Sequence, residues 1–122
     1  MTNRHSILII SDEENMKYWQ PMLEVIRRRI GPTTTIFEKD VLNQGFFKPS
    51  EIIVVDATDV ASLPQLVRFI HDLIPEGKII IVTATPTWKQ AREAFHIGAT
   101  DYIQKRYDKE EMANVLESVL EK

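Results

Sequence analysis

The chain has 122 residues, which suits one domain over residues 1–122, and its 43% hydrophobic and 27% charged content is an ordinary globular balance. The formal net charge of −3 argues against direct nucleic-acid binding, and the absence of cysteine excludes disulfides and thiolate chemistry. The apolar run from Ile7 to Ile10 is too short for a signal-peptide core or a membrane span. We therefore expect a cytoplasmic protein with no membrane contact.

Short β-rich apolar runs alternate with longer segments of helical period. The first strand is predicted over Ser6 to Ile10. A helix follows from Asn15 to Ile30, in which Pro21 indicates a kink or a later start. The segment from Thr33 to Glu38 is β-branched and is expected to form a strand near a sheet edge. The segment from Val41 to Phe47 is ambiguous, and one short helix is its expected structure.

The second half of the chain continues the alternation with clearer boundaries. The predicted elements are a buried strand from Glu51 to Ala57, a helix from Ser62 to Ile74, a buried strand from Lys78 to Ala84, a helix from Thr87 to Ile97, a strand from Asp101 to Lys105 and a helix from Asp108 to Leu120. Thr87 and Gln90 have the spacing of a capping box, and Asp108 can cap the last helix. Trp19 and Trp88 are expected to pack, although Trp88 could also belong to a partner surface.

Five strands and about five helices in strict alternation indicate βαβ units. Parallel strands require right-handed crossovers, which place helices on both faces of the sheet. The predicted fold is therefore α/β, a flavodoxin-like three-layer sandwich with a five-stranded parallel sheet of order 2-1-3-4-5.

Open α/β sheets bind ligands at the carboxyl ends of their strands, near the point where the strand order reverses. The predicted strands end in Ser11-Asp12-Glu13, Asp56, Thr83 and Lys105. Two close carboxylates repel each other unless a cation lies between them, and Mg²⁺ is the hard cation that oxygen ligands favour. A lysine and a hydroxyl opposite the metal could bind phosphoryl oxygens, and a carboxylate could be the covalent nucleophile.

These segments resemble the receiver domains of two-component response regulators. The likeness lies in ILIISDEEN, EIIVVDATD, IIIVTA and GATDYIQK, in the correct order and spacing, and covers essentially the whole chain. The resemblance implies that Asp56 is the phosphoacceptor and that Mg²⁺ binds Asp12, Asp56 and the backbone carbonyl of Thr58. It also implies that Lys105 pairs with the phosphoryl group.

The resemblance further implies a switch. Thr83 would hydrogen-bond the phosphoryl group, Ala84 would leave room for it, and Tyr102 would turn inward when Thr83 moves. The output face would be the fourth helix, fifth strand and fifth helix, and a homodimer could form through it. The phosphoryl donor would be a sensor histidine kinase or a phosphotransfer protein, which makes the chain a signalling switch rather than an enzyme.

The sequence departs from the family pattern in three places. Ser11 replaces the first acidic residue, so the metal pocket lacks one carboxylate. The loop 57–61 lacks the usual Met-Pro-Gly stretch, and Arg106 replaces the proline that typically follows the lysine through a cis bond. The alternative function is therefore a pseudo-receiver, an interaction module that is not functionally phosphorylated. A flavin- or nucleotide-binding enzyme is disfavoured because the chain has no glycine-rich phosphate loop.

Overall fold

The computed structural model describes residues 5–44, 50–58 and 63–120. Its strands are β1 (Ile7–Ser11), β2 (Thr33–Phe37), β3 (Ile52–Asp56), β4 (Lys78–Thr83) and β5 (Asp101–Gln104). Its α-helices are α1 (Glu13–Trp19), α2 (Leu23–Arg29), α3 (Glu38–Gln44), α4 (Leu63–Leu73), α5 (Trp88–His96) and α6 (Lys109–Leu120), with a 3₁₀ turn at Gln20–Met22 between α1 and α2. Across these ranges strands and helical segments alternate as the sequence predicted.

The five strands form one parallel sheet of order β2-β1-β3-β4-β5. This confirms the predicted order and places the β-branched strand β2 at an edge. The order reverses between β1 and β3, whose register pairs Ile10 with Val55. Ser11 and Asp56, the last residues of these two strands, therefore lie at the point where ligands bind in sheets of this kind.

Helices cover both faces of the sheet, as the near-continuous apolar strands required. Successive side chains of a strand point to opposite faces, so Ile7 and Ile9 contribute to one core while Leu8 and Ile10 contribute to the other. The first core is completed by residues of α1, α2 and α6, and the second by residues of α3, α4 and α5. The three-layer sandwich is thus confirmed.

The predicted helix from Asn15 to Ile30 is broken into α1, the 3₁₀ turn and α2. It begins earlier than predicted because the Asp12 side chain accepts a hydrogen bond from the Asn15 amide, which caps α1 directly after β1. Pro21 lies within the 3₁₀ turn, where its missing N–H interrupts the helical hydrogen bonding. The three segments together occupy the place of the one predicted helix, so the expectation of about five helices is confirmed.

The other boundaries differ little from the prediction. The ambiguous segment is helical from Glu38, earlier than the predicted start at Val41, and residues 45–47 lie outside the described ranges. Every remaining described end lies within one residue of its predicted position. No helix within the described ranges is long and apolar enough to cross a bilayer.

Candidate functional site

The carboxylate of Asp56 is the centre of the site and is removed from solvent, with its side chain 0% exposed at the end of β3. Each of its oxygens has two protein partners. Oδ1 accepts from the Thr58 amide at 3.0 Å and from the Thr58 hydroxyl at 2.7 Å. Oδ2 lies 2.8 Å from the Trp19 indole nitrogen and 2.7 Å from Lys105 Nζ. The buried charge is therefore ion-paired and accepts three further hydrogen bonds, as burial of a carboxylate demands.

Lys105 contacts the same oxygen of this carboxylate as Trp19 does. It follows β5, and its amide donates to the Thr83 carbonyl at 2.9 Å, which extends the pairing of β5 with β4. Its ammonium group also donates to Asn15 Oδ1 at 3.0 Å and lies 4.6 Å from the centre of the Tyr18 ring. The described residues contain no cis peptide bond, so the bond before Arg106 is trans, and Lys105 still reaches Asp56.

Asp12 lies close to the same site, but its side chain caps the N-terminus of α1. Its Oδ1 accepts from the Asn15 amide at 2.7 Å, and both of its oxygens accept from the Asn15 side-chain amide at 3.1 and 3.2 Å. Asn15 thus bridges Asp12 and Lys105. Ser11, at the position of the missing acid, is fully buried and donates its hydroxyl to the Asp12 carbonyl at 3.0 Å.

Thr83 and Thr58 lie at the ends of neighbouring strands. Thr83 is buried at the end of β4, where its hydroxyl oxygen accepts from the Thr85 amide at 3.2 Å. The Thr58 hydroxyl oxygen accepts from the Ala84 amide at 3.2 Å while it donates to Asp56. Thr58 therefore ties the loop after β3 to the loop after β4.

Tyr102 is half-buried on β5 and contacts the start of α5. The predicted capping box is confirmed in one half, because Thr87 Oγ1 accepts from the Gln90 amide at 3.1 Å. The other half differs from the prediction. The Thr87 amide donates to the Tyr102 hydroxyl at 3.2 Å, and that hydroxyl donates to Gln90 Oε1 at 3.0 Å. Tyr102 is inserted between the two capping residues because β5 brings its hydroxyl to the helix terminus.

The end of α1 contributes two aromatic residues that the sequence did not assign to the site. Trp19 is 0% exposed, which confirms that it packs, and its indole N–H also donates a hydrogen bond to Asp56 Oδ2. Tyr18 meets it edge to face, with ring centroids 5.0 Å apart, and donates its hydroxyl to the Arg106 carbonyl. Burial raises the pKa of Tyr18 to about 12, with a smaller contribution from the nearby charge of Asp56. Trp88 is 81% exposed, so the expectation that it packs is wrong.

Comparison with solved structures identifies the fold. The beryllofluoride-activated DrrB receiver domain has a TM-score of 0.72 at 21% identity, over 98% of this chain and 100% of that one. A response regulator from Burkholderia pseudomallei was solved with a phosphorylated aspartic acid, a calcium ion and citrate. It has a TM-score of 0.71 at 20% identity, over 95% of this chain and 72% of that one. HP1043, an orphan response regulator of H. pylori, has a TM-score of 0.76 at 18% identity, over 97% of this chain and 99% of that one. The chain has the receiver-domain fold. No family model matches the sequence, and no curated protein matches it either.

The receiver fold implies a divalent cation, but the residues predicted to hold it do not fit one as they are arranged here. Both Asp56 oxygens are taken by protein donors, and Asp12 caps α1. A divalent cation needs several free oxygen ligands. Within residues 5–44, 50–58 and 63–120, no group of three or more His, Cys, Asp or Glu side chains could hold a metal. A cation at this receiver site would have to displace donors from Asp56.

The structure thus brings together most of the predicted site residues. Asp56, Lys105 and Thr58 are in direct contact, Asp12 is joined to them through Asn15, and Thr83 is adjacent along the ends of the strands. Tyr102 lies on β5 but is turned to the start of α5. Tyr18 carried no sequence signal, and Trp19 carried none beyond helical spacing, because an indole that packs and an indole that also donates to a carboxylate look the same in one sequence.

Proposed function

We propose that this chain is a single receiver domain that works as a protein-interaction module without phosphorylation of Asp56. The observation that carries the proposal is the closed state of the Asp56 carboxylate, which is 0% exposed, accepts three hydrogen bonds from the protein and forms an ion pair with Lys105. To attack the phosphorus of a phosphodonor, one of these oxygens needs a free lone pair. Here all the strong acceptor directions are used by Thr58, Trp19 and Lys105.

The charges of the site support the same function. Asp56 and Lys105 form a neutral buried pair, and the Asp12 carboxylate is stabilised by the N-terminus of α1. Ser11 stands in place of a further acid, which removes one negative charge from the site. Glu38 still lies near Asp12, because burial and, to a smaller extent, the charge of Asp12 raise the pKa of Glu38.

The surface offered to a partner is proposed to be α5, β5 and α6, the counterpart of the family's output face. Two large apolar side chains of α5 are exposed there, Trp88 at 81% and Phe95 at 50%. They are seven residues apart and so lie on the same side of the helix. Tyr107, between β5 and α6, is fully exposed. The partner is proposed to be a signalling protein, or a second copy of the chain, in the cytoplasm.

The second candidate is the phospho-accepting receiver, and the contact between Lys105 and Asp56 favours it. In that function Asp56 takes a phosphoryl group from a histidine kinase or phosphotransfer protein in the presence of Mg²⁺. Asp12, Asp56 and the Thr58 carbonyl hold the cation, Thr83 and Lys105 bind the phosphoryl group, and Tyr102 reports it to α5. The 2.7 Å ion pair holds the ammonium group where a phosphoryl oxygen would need it.

One experiment separates the two functions. The protein and its Asp56→Asn variant are incubated with Mg²⁺ and acetyl phosphate, and their intact masses are measured beside a receiver known to react. We expect the known receiver alone to gain a phosphoryl group. A gain in the wild-type protein that is lost in Asp56→Asn would establish the phospho-accepting function instead.

A further inference from the structure

The Asp56 site is closed by one side chain that is not needed to neutralise its charge. Lys105 supplies the positive charge and Thr58 covers Oδ1, whereas Trp19 supplies a neutral donor to Oδ2 at 2.8 Å. Trp19 is the last residue of α1 and is 0% exposed. It is therefore held in place by the core, so its indole N–H approaches the carboxylate from a rigid element.

The surroundings of Trp19 leave it little freedom to move away. Its ring meets the Tyr18 ring edge to face, and Tyr18 is itself fixed by donating to the Arg106 carbonyl. Arg106 follows Lys105, so the chain that carries the ammonium group is tied to the helix that carries the indole. The 3₁₀ turn after Trp19 ends α1 at this point and begins the path to α2. Removal of the indole from Oδ2 would thus disturb several packed groups at once.

We propose that Trp19 is a latch that keeps Asp56 closed to divalent cations, because its indole N–H occupies an acceptor position on Oδ2 that a cation would need. This inference rests on the proposed function, because it names the residue that holds the receiver site in its closed state. The reasoning is one of competition for an oxygen. A cation at Oδ2 must displace a donor, and the neutral indole can be removed without leaving the carboxylate unpaired, since Lys105 remains.

The test compares the same substitution at the two tryptophans of the chain. Trp19→Phe removes the N–H from the site, and Trp88→Phe changes an exposed residue of α5. Mg²⁺ alone is titrated into each ¹⁵N-labelled protein, and the amide shifts of Ala57 and Thr58 give the affinity. We expect Trp19→Phe to bind Mg²⁺ roughly tenfold more tightly than the wild type, the change expected for one hydrogen bond to a charged group. Trp88→Phe should bind Mg²⁺ with the same affinity as the wild type. Equal Mg²⁺ affinities for Trp19→Phe and the wild type would overturn the latch.

A second measurement covers the case in which Trp19→Phe does not fold. In Trp88→Phe the only tryptophan left is Trp19, so its indole proton can be followed in the native protein. We expect this proton to exchange slowly with solvent and to exchange faster by about tenfold or more when Asp56→Asn is added, because the charge-assisted bond is lost. The same exchange rate in both proteins would refute the latch.

The outcomes also distinguish the latch from the proposed function. Suppose the wild type takes up a phosphoryl group from acetyl phosphate and Trp19→Phe does so faster. The interaction-only function would then fail while the latch would stand. If the wild type remains unphosphorylated and Trp19→Phe binds Mg²⁺ no better, the proposed function stands and the latch is rejected.

Discussion

The ammonium group of Lys105 lies 2.7 Å from Oδ2 of Asp56, and the two side chains are only 9% and 0% exposed. Such a buried pair is expensive to break, because removing one partner leaves an uncompensated charge away from water. We expect Lys105→Met to lower the free energy of unfolding by about 3–5 kcal/mol in urea denaturation. Asp56→Asn in the same protein should restore part of the loss, since it removes the unpaired charge.

An exposed ion pair supplies the control. Lys17 lies 3.2 Å from Glu14 on α1, and their side chains are 76% and 79% exposed. Lys17→Met should cost about 0–1 kcal/mol, the usual range for a solvent-screened pair. If Lys105→Met costs no more than Lys17→Met, the pair with Asp56 is not buried in solution as described.

Tyr102 stabilises the start of α5 by a pair of hydrogen bonds. Its hydroxyl accepts from the Thr87 amide and donates to Gln90 Oε1. We expect Tyr102→Phe to lower the free energy of unfolding by about 1 kcal/mol, with faster amide hydrogen exchange in the first turn of α5. Tyr107→Phe changes a fully exposed residue and should stay within about 0.5 kcal/mol of the wild type. A Tyr102→Phe protein with unchanged exchange in α5 would show that Thr87 caps the helix without this relay.

Tyr18 should make the protein sensitive to alkaline pH. Burial raises its pKa from 10.0 to about 12. The folded state therefore holds the phenol proton more tightly than the unfolded state. The associated stability is fully present below pH 10 and is lost as the pH rises from 10 to about 12. We expect Tyr18→Phe to flatten the fall in unfolding free energy over this interval, measured by denaturation at successive pH values. Tyr107→Phe should keep the wild-type fall, and an equally steep fall in Tyr18→Phe would exclude Tyr18 as its source.

The fold was readable from the sequence because its signals are local and repeated. Runs such as Ile52 to Val55 indicate strands buried on both faces, and the helical spacing of Leu63, Leu66, Val67 and Ile70 indicates one covered face. The alternation of the two signals leaves few topologies once right-handed crossovers are required. The convergence of Asp56 and Lys105 followed from that topology, because the carboxyl ends of parallel strands meet at one edge.

The closure of the site was not readable, because it depends on the direction of single side chains. Trp19 satisfies helical spacing whether or not its N–H meets a carboxylate, and Asp12 at a strand end is as good a helix cap as it is a metal ligand. The relay through Tyr102 has the same origin, since the capping-box spacing cannot reveal a hydroxyl inserted from another strand. Such choices are made by tertiary packing rather than by local pattern.

Thr58 offers a last and sharper test of the closed carboxylate. Its hydroxyl donates to Asp56 Oδ1 at 2.7 Å and accepts from the Ala84 amide at 3.2 Å. Thr58→Val keeps the shape of the side chain but removes both bonds, and should lower the free energy of unfolding by about 1.5–3 kcal/mol, as expected for a hydrogen bond to a charged group. Thr58→Ser keeps the hydroxyl and should lose less than half as much. If valine and serine give equal stabilities, the hydroxyl does not bind Asp56, and the carboxylate has a free lone pair at Oδ1 through which a cation could enter.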